Sequence, residues 1–184
     1  MRPLSPVLAA LSLLVLASPA LAGNWSLGTN LGVSLYRPED GEDLTLIAIP
    51  SSAVFFQPGL RVGFTGTNSP HEFYLDTGVS DLDGDVTRIL FTGNYQYNFA
   101  SKTSTSFYLT GGLGFLNVSI VDVGATSLMV GAGAGARFRV ANGHGSIRTE
   151  FRYDRVAEGD DGATEVIDEA GLVGFKFGFD LWMK

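Results

Sequence analysis

Few side chains in this sequence could act on a substrate, and their spacing decides what each can do. His71, in "NSPHEF", and His144, in "NGHGS", are the two histidines. Nucleophilic catalysis needs a base within hydrogen-bond reach of a hydroxyl or thiol, itself oriented by a third group. Neither histidine sits in such a trio. Both fall in short polar segments between apolar runs, where loop tips favour polar residues, and they read as turn residues. No catalytic residue is expected, although an aspartate acting as general base is chemically open. The stretch "DLDGDV", Asp81 to Val86, sets three carboxylates at alternate positions, as at the start of a calcium loop. Such a loop needs glycine at its sixth position and an acid at its twelfth; those places hold Val86 and Thr92. An acidic solvated turn is the plainer reading, with a divalent cation at Asp81–Asp85 left open. "GAGAGA", Gly131 to Ala136, resembles a nucleotide loop in composition alone, because it does not follow a strand and open a helix. No cofactor is implied.

The remaining chemistry lies in charges scattered at alternate positions through apolar stretches. Arg61, Arg88, Arg137, Arg139, Arg148, Arg152 and Lys176 stand against Glu72, Asp76, Glu150, Asp154 and Asp180. The elements that carry them must therefore have a period of two, because only a strand turns successive side chains to opposite faces. From Trp25 to Tyr36, "WSLGTNLGVSLY", the odd positions are apolar or Thr29 and the even ones small or polar up to Tyr36. The same alternation recurs in "PGLRVGFTG", "EFYLDTGV", "TRILFTGNYQYNF", "SFYLTGGLGFLNV", "LMVGAGAGARFRV", "SIRTEFRYD" and the closing "GLVGFKFGFDLWMK". That makes eight strands and no helical period. Connections at 67–71, 100–104 and 142–145 are short, while those at 37–53, 81–86, 119–127 and 155–169 are read as longer loops.

Composition narrows the setting. Residues 1–22 combine Arg2, an apolar run from Val7 to Ala17 and small residues at Ala20 and Ala22, the three regions of a cleaved secretory signal. Residues 23–184 are then one domain. With 12 basic and 19 acidic residues the net charge is −7, which argues against a nucleic-acid partner. There are no cysteines, so an exported chain holds together without disulfides. Beyond the signal no apolar run reaches the ~18 residues of a spanning helix. A membrane setting would thus require a barrel, the other structure that pairs every backbone group in lipid.

Alternation alone does not say which face is the core. A soluble sandwich or lipocalin-like binder packs its apolar face inside, and a membrane barrel inverts this. Aromatic residues near strand ends (Trp25, Phe73, Phe99, Phe107, Tyr153, Phe179) suit interfacial girdles. The polar face is crowded with glycine, alanine and serine, as a narrow eight-stranded lumen filled by side chains demands. The charges on that face nearly balance. The expectation is an all-β, eight-stranded antiparallel up-and-down transmembrane barrel with a polar, plugged lumen. About the turn near Asn68, Arg61 should oppose Asp76; about Gly143, Arg137 should oppose Glu150 with Arg139 diagonal to it. An interior ion-pair network of Arg61, Glu72, Asp76, Arg88, Arg137, Arg139, Arg148, Glu150, Arg152, Lys176 and Asp180 follows, since buried charges left unpaired cost several kcal/mol, roughly 3–5. Surface cross-strand pairs, worth under about 1 kcal/mol, are the plainer alternative. The longer loops carry 14 of the 19 acids, so their rim is strongly negative. Within the first of them Leu44 to Ile49, "LTLIAI", is apolar; it could extend a sheet edge and add a partner's strand, or fold over the barrel mouth.

"FYLTGGLGFLNV" with "LMVGAGAGARFRV", "RTEFRYDR" and the closing strand together resemble the small outer-membrane β-barrel proteins of Gram-negative bacteria, of the OmpA and OmpX kind. The resemblance covers residues 23–184. It implies an eight-stranded barrel with periplasmic termini and extracellular loops; outer-membrane lipid and lipopolysaccharide are the expected partners, with loose divalent bridging of the acidic Asp81–Asp85 turn to lipopolysaccharide a weaker reading. It does not imply one activity, because members include adhesins, envelope organisers, narrow channels and lipid-modifying enzymes. The first expectation is a non-catalytic barrel with a structural or interaction role through its acidic loops. A narrow channel for small hydrophobic or ionic solutes comes second and a lipid-modifying enzyme third. Lys176, Gly178, Leu181 and Met183 resemble the signal that barrel-insertion machinery reads, although this chain ends on Lys184 where members usually end on an aromatic residue.

Overall fold

The computed structural model describes residues 23–38, 46–47, 59–82, 86–100, 103–120, 123–160, 165–167 and 169–183. Residues 1–22, expected to be a secretory signal, and the acidic stretches at 39–45, 83–85 and 161–164 lie outside the described residues. Eight long strands make the wall: β1 Gly23–Pro38, β2 Gly59–Gly66, β3 His71–Leu82, β4 Val86–Asn98, β5 Thr105–Ile120, β6 Val123–Val140, β7 Gly145–Val156 and β8 Ala170–Met183. Each pairs antiparallel with the next, and β1 closes on β8 from Trp25 opposite Met183 to Pro38 opposite Ala170. This is a closed eight-stranded barrel. Closure removes every sheet edge along the shared register, so each ladder group finds a partner within the wall.

The face assignment is inverted relative to a water-soluble protein. Among the described residues 19 polar or charged side chains are buried, against seven hydrophobic ones. The other face is a continuous apolar surface: Phe107, Leu113 and Leu128 are 68%, 67% and 63% exposed. Patches on soluble monomers rarely exceed a few hundred Å². An apolar belt right round the wall therefore needs a non-aqueous surround.

The structure departs from the sequence expectation in two details. Two of the connections read as longer loops are nearly all strand: β3 reaches Leu82 opposite Val86, and β5 reaches Ile120 opposite Val123. There the apolar side chains change face, with Leu116 and Val118 turned inwards and Asn117 on the outer parity. A tilted strand of about 9–11 residues crosses a bilayer, so β5 and β6, at 16 and 18 residues, overshoot it. The overshoot is held by a conventional core inside the wall, where Val118, Ala125, Met129 and Val156 pack with Leu90, Leu116 and Leu172. Second, the turn between β6 and β7 is a short 3-10 segment, Ala141–Gly143, with φ of 50°, 55° and 83° at successive residues. It moves the hairpin's midpoint back by one residue, to between Asn142 and Gly143. Arg137 thus lies opposite Arg148, Gly135 opposite Glu150 and Arg139 opposite Ser146. The expected pairing of Arg137 with Glu150 is overturned, yet a slip of two residues keeps every side chain on its own face. Of the Leu44–Ile49 stretch only Leu46–Ile47 is described; it pairs with Leu35 and Tyr36 of β1, beyond Gly59 where β2 begins, and so extends the sheet edge, the first of its two expected placements.

Candidate functional site: the filled lumen

The interior is built from alternate residues of all eight strands. Arg61 does face Asp76 across the β2–β3 ladder, but its guanidinium does not cross to it. Arg61 instead lies against the ring of Tyr74, 3.4 Å from its centroid, and Nη2 donates to Glu72 Oε1 at 2.7 Å and to Gln96 Oε1 at 3.1 Å. A guanidinium over an aromatic face is attracted by its quadrupole, so Tyr74 acts as a rail directing Arg61 along the barrel axis.

Glu72 is the hub at the short-turn end. Its second oxygen accepts from Arg137 Nη2 at 2.6 Å, and Arg137 Nη1 donates to Asn98 Oδ1 at 3.3 Å. Gln96 Nε2 donates to the same Asn98 oxygen at 2.7 Å. The Trp182 ring lies 5.1 Å from the Arg137 guanidinium. A second cluster forms on Asp180. Arg148 donates to both its oxygens, Nε at 2.5 Å and Nη2 at 3.0 Å, the bidentate geometry that planar guanidinium favours. Arg148 Nη2 also reaches Asn30 Oδ1 at 2.8 Å, and Ser146 donates to Asp180 at 3.1 Å. Arg61 Nε lies 3.8 Å from Asp180 and joins the two clusters.

Towards the long-loop end the pairs loosen. Arg152 holds Asp154 at 2.7 Å and Glu150 at 3.6 Å, both on its own strand. Tyr108 Oη donates to Glu150 Oε2 at 3.2 Å. Asp76 accepts from Asn30 Nδ2 at 2.9 Å and lies 3.8 Å from Lys176 Nζ. The wall makes room for these groups with glycine: a Cβ at Gly131 would stand 1.7 Å from Asp154 Oδ1, and one at Gly114 2.0 Å from the Phe91 carbonyl oxygen.

The structure thus brings Arg61, Glu72, Arg137, Arg148 and Asp180 into one chain of ion pairs, with Arg152, Glu150, Asp154, Asp76 and Lys176 beside it. Arg139 is placed differently from the expectation. It is exposed at the short-turn mouth, because β6 runs on past the end of the filled interior. There it lines a cavity of about 400 Å³ with Asn24, Asn68, Asn98, Arg137 and Trp182. Arg88 belongs to β4, but its side chain lies outside the described residues, as do those of Asp81, Asp83 and Asp85. His71 begins β3 and His144 follows the 3-10 turn, both at the short-turn end. The neutral members Asn30, Tyr74, Gln96, Asn98 and Tyr108 were absent from the expected network. The same alternation that selected the arginines places them on the lumen face.

Among the described lumen side chains five cations (Arg61, Arg137, Arg148, Arg152, Lys176) meet five carboxylates (Glu72, Asp76, Glu150, Asp154, Asp180). A balanced, hydrogen-bonded interior is the way a low-dielectric space tolerates charge. An eight-stranded antiparallel barrel that is polar and filled within and apolar without has the fold of the small outer-membrane β-barrels. Solved structures agree. Neisserial surface protein A matches with a TM-score of 0.62 at 12% identity, covering 85% of this chain and 96% of that one. The attachment invasion locus protein Ail of Yersinia pestis gives 0.54 at 11% identity, covering 89% and 100%. The N-terminal β-barrel domain of Pseudomonas aeruginosa OprF gives 0.51 at 16% identity, covering 86% and 99%. No protein-family model and no curated protein sequence matches the chain.

Proposed function

We propose that this chain is a non-catalytic integral barrel of the bacterial outer membrane, with termini towards the periplasm and acidic loops outwards, serving a structural or interaction role. The observation that carries this reading is the filled interior. Two clusters of ion pairs occupy the short-turn half, with Arg61 and Glu72 fully buried, and the apolar packing of Val118, Ala125, Met129 and Val156 closes the other half. An interior of this kind supports a scaffold rather than a pore. Its outward chemistry is the acidic rim, 14 carboxylates by sequence, which suits a cationic partner or divalent bridging to lipopolysaccharide. The Ail barrel has been solved with the heparin analogue sucrose octasulfate; a polyanion of that kind is disfavoured at the rim of this chain.

Single-channel recording in planar bilayers tests the reading, which expects no steady conductance; sizeable, long-lived openings would replace it with the narrow channel. That second reading draws on the mouth cavity of about 400 Å³, a vestibule ending at Arg137. Lipid A composition should be the same with and without expression, and a changed acylation pattern would instead point to a lipid-modifying enzyme. Insertion by the barrel-assembly machinery belongs to the same proposal, and the terminal Lys184 is the residue to vary when testing its recognition.

A further inference from the structure

Most strand glycines face the lumen and are there because a side chain would collide, as at Gly114, Gly131 and Gly135. Gly93 and Gly111 are different. Both face outwards, and a Cβ at either would meet nothing nearer than 3.8 Å, ordinary contact distance. Glycine inside a strand is less stable than alanine, and here neither backbone conformation nor close packing asks for it. The missing side chains leave a hollow of about 410 Å³ in the apolar face. Its floor is Gly93 and Gly111, and its walls are Trp25 with Phe64, Phe73 with Tyr95, and Leu113. The rings are braced in pairs, Trp25 on Phe64 at 5.1 Å and Phe73 on Tyr95 at 5.4 Å. At its short-turn end stands a polar group. His71 is exposed, with Nδ1 2.6 Å from Tyr95 Oη and its ring against Tyr97, which leaves Nε2 without a partner among the described residues.

We infer that this hollow is a binding groove for one acyl chain of a glycerophospholipid, with the phosphate at His71 Nε2. The inference rests on the outer-membrane reading above. On that reading the short-turn end adjoins the periplasmic leaflet, so the occupant is a glycerophospholipid rather than lipopolysaccharide. A hollow rather than a ridge, with a hydrogen-bonding group at one end, has the shape of an acyl chain joined to a headgroup. An aromatic-walled slot retains such a chain because contacts are made along its length, and each carbon pair is individually weak.

The test is photolabelling of the full-length protein in nanodiscs of equal parts phosphatidylethanolamine and phosphatidylglycerol, the latter carrying a diazirine on its acyl chain. Labelled positions are mapped by mass spectrometry. The groove predicts label concentrated on residues 91–95 and 109–113, falling about fivefold or more in Gly93→Leu/Gly111→Leu, with His71→Ala weakening retention and leaving the position of the label unchanged. Label spread evenly round the wild-type barrel, or unchanged in the leucine variant, overturns the groove while heat-modifiable gel migration still certifies an inserted barrel. A wild-type chain that does not insert overturns the membrane reading and this inference with it. Crosslinked dimers through this face, lost in the leucine variant, would assign the hollow to a second copy and overturn the lipid. Because the wild-type map is decisive by itself, a variant that fails to fold does not rescue the inference.

Discussion

Replacing Glu72 by glutamine removes one charge from the most connected point of the lumen and almost no volume. Its carboxylate is fully buried and joins Arg61 at 2.7 Å to Arg137 at 2.6 Å. After the change the balanced interior carries one surplus positive charge, with two guanidinium groups each short of an anion. Removing one partner of a buried pair costs about 3–5 kcal/mol. Compensation here is partial, since Arg61 keeps Gln96 at 3.1 Å and Asp180 at 3.8 Å, and Arg137 keeps Asn98 at 3.3 Å. The lower end, about 3 kcal/mol, is therefore expected. The assay is reversible guanidinium unfolding from phospholipid vesicles followed by tryptophan fluorescence, with Trp182 only 5.1 Å from the Arg137 guanidinium. The midpoint should fall at unchanged slope, the sign of lost stability rather than a changed end state. Glu158→Gln, at an exposed position between β7 and β8, serves as control and should stay within about 0.5 kcal/mol. Adding Arg137→Gln to Glu72→Gln restores the balance and should recover part of the loss, with a coupling of about 0.5–3 kcal/mol. A Glu72→Gln protein as stable as the control would refute the argument that a charge-balanced network holds the lumen.

The surround of the barrel is tested by a pair of outward arginines. Leu113→Arg, near the middle of β5, should cost about 2–4 kcal/mol and Phe107→Arg, close to its short-turn end, about 0–1; equal and negligible effects, as in water, would contradict the membrane setting. Gly131→Ala should destabilise by about 1–3 kcal/mol, because the new methyl would overlap Asp154, which then loses its 2.7 Å contact with Arg152; unfolding midpoints in vesicles report it. Met129→Asp would place a carboxylate among Val118, Ala125 and Val156, and limited proteolysis of intact vesicles should then cut the long-loop end faster while the membrane-embedded half stays protected. No such difference would mean that the apolar packing does not hold the protruding strands.

Much of the fold was legible because a strand's alternation is local. Trp25 to Tyr36 shows its two faces without reference to any other residue, and eight such segments with short and longer connections in alternation suffice for an up-and-down barrel. Inversion was also legible, since glycine, serine and buried-type charges shared one face while large aromatics held the other. Hairpin register was legible where the turn is conventional: Asn68, with φ of 61°, is a residue that tolerates the left-handed region, and Arg61 faces Asp76 as expected. It failed at Ala141–Gly143, where Ala141 takes a positive φ that no sequence rule anticipates. The overshoot of β3 to β6 was missed for a related reason. Acidic residues near Asp81 and Asp122 looked like loop, while the apolar side chains that keep those strands together come from five consecutive strands and meet only once these are paired side by side.

From its sequence alone, then, the chain determined which side chains face inwards, because that depends on the parity of position along each strand. Which of them touch was decided by closure. Glu72 meets Arg137 and Asn30 meets Arg148 only when β8 returns to β1 and the far wall comes within a side chain's reach. Arg61 with Glu72 and Arg148 with Asp180 need only neighbouring strands, but a contact that crosses the lumen is a property of the whole circumference, and no single hairpin contains it.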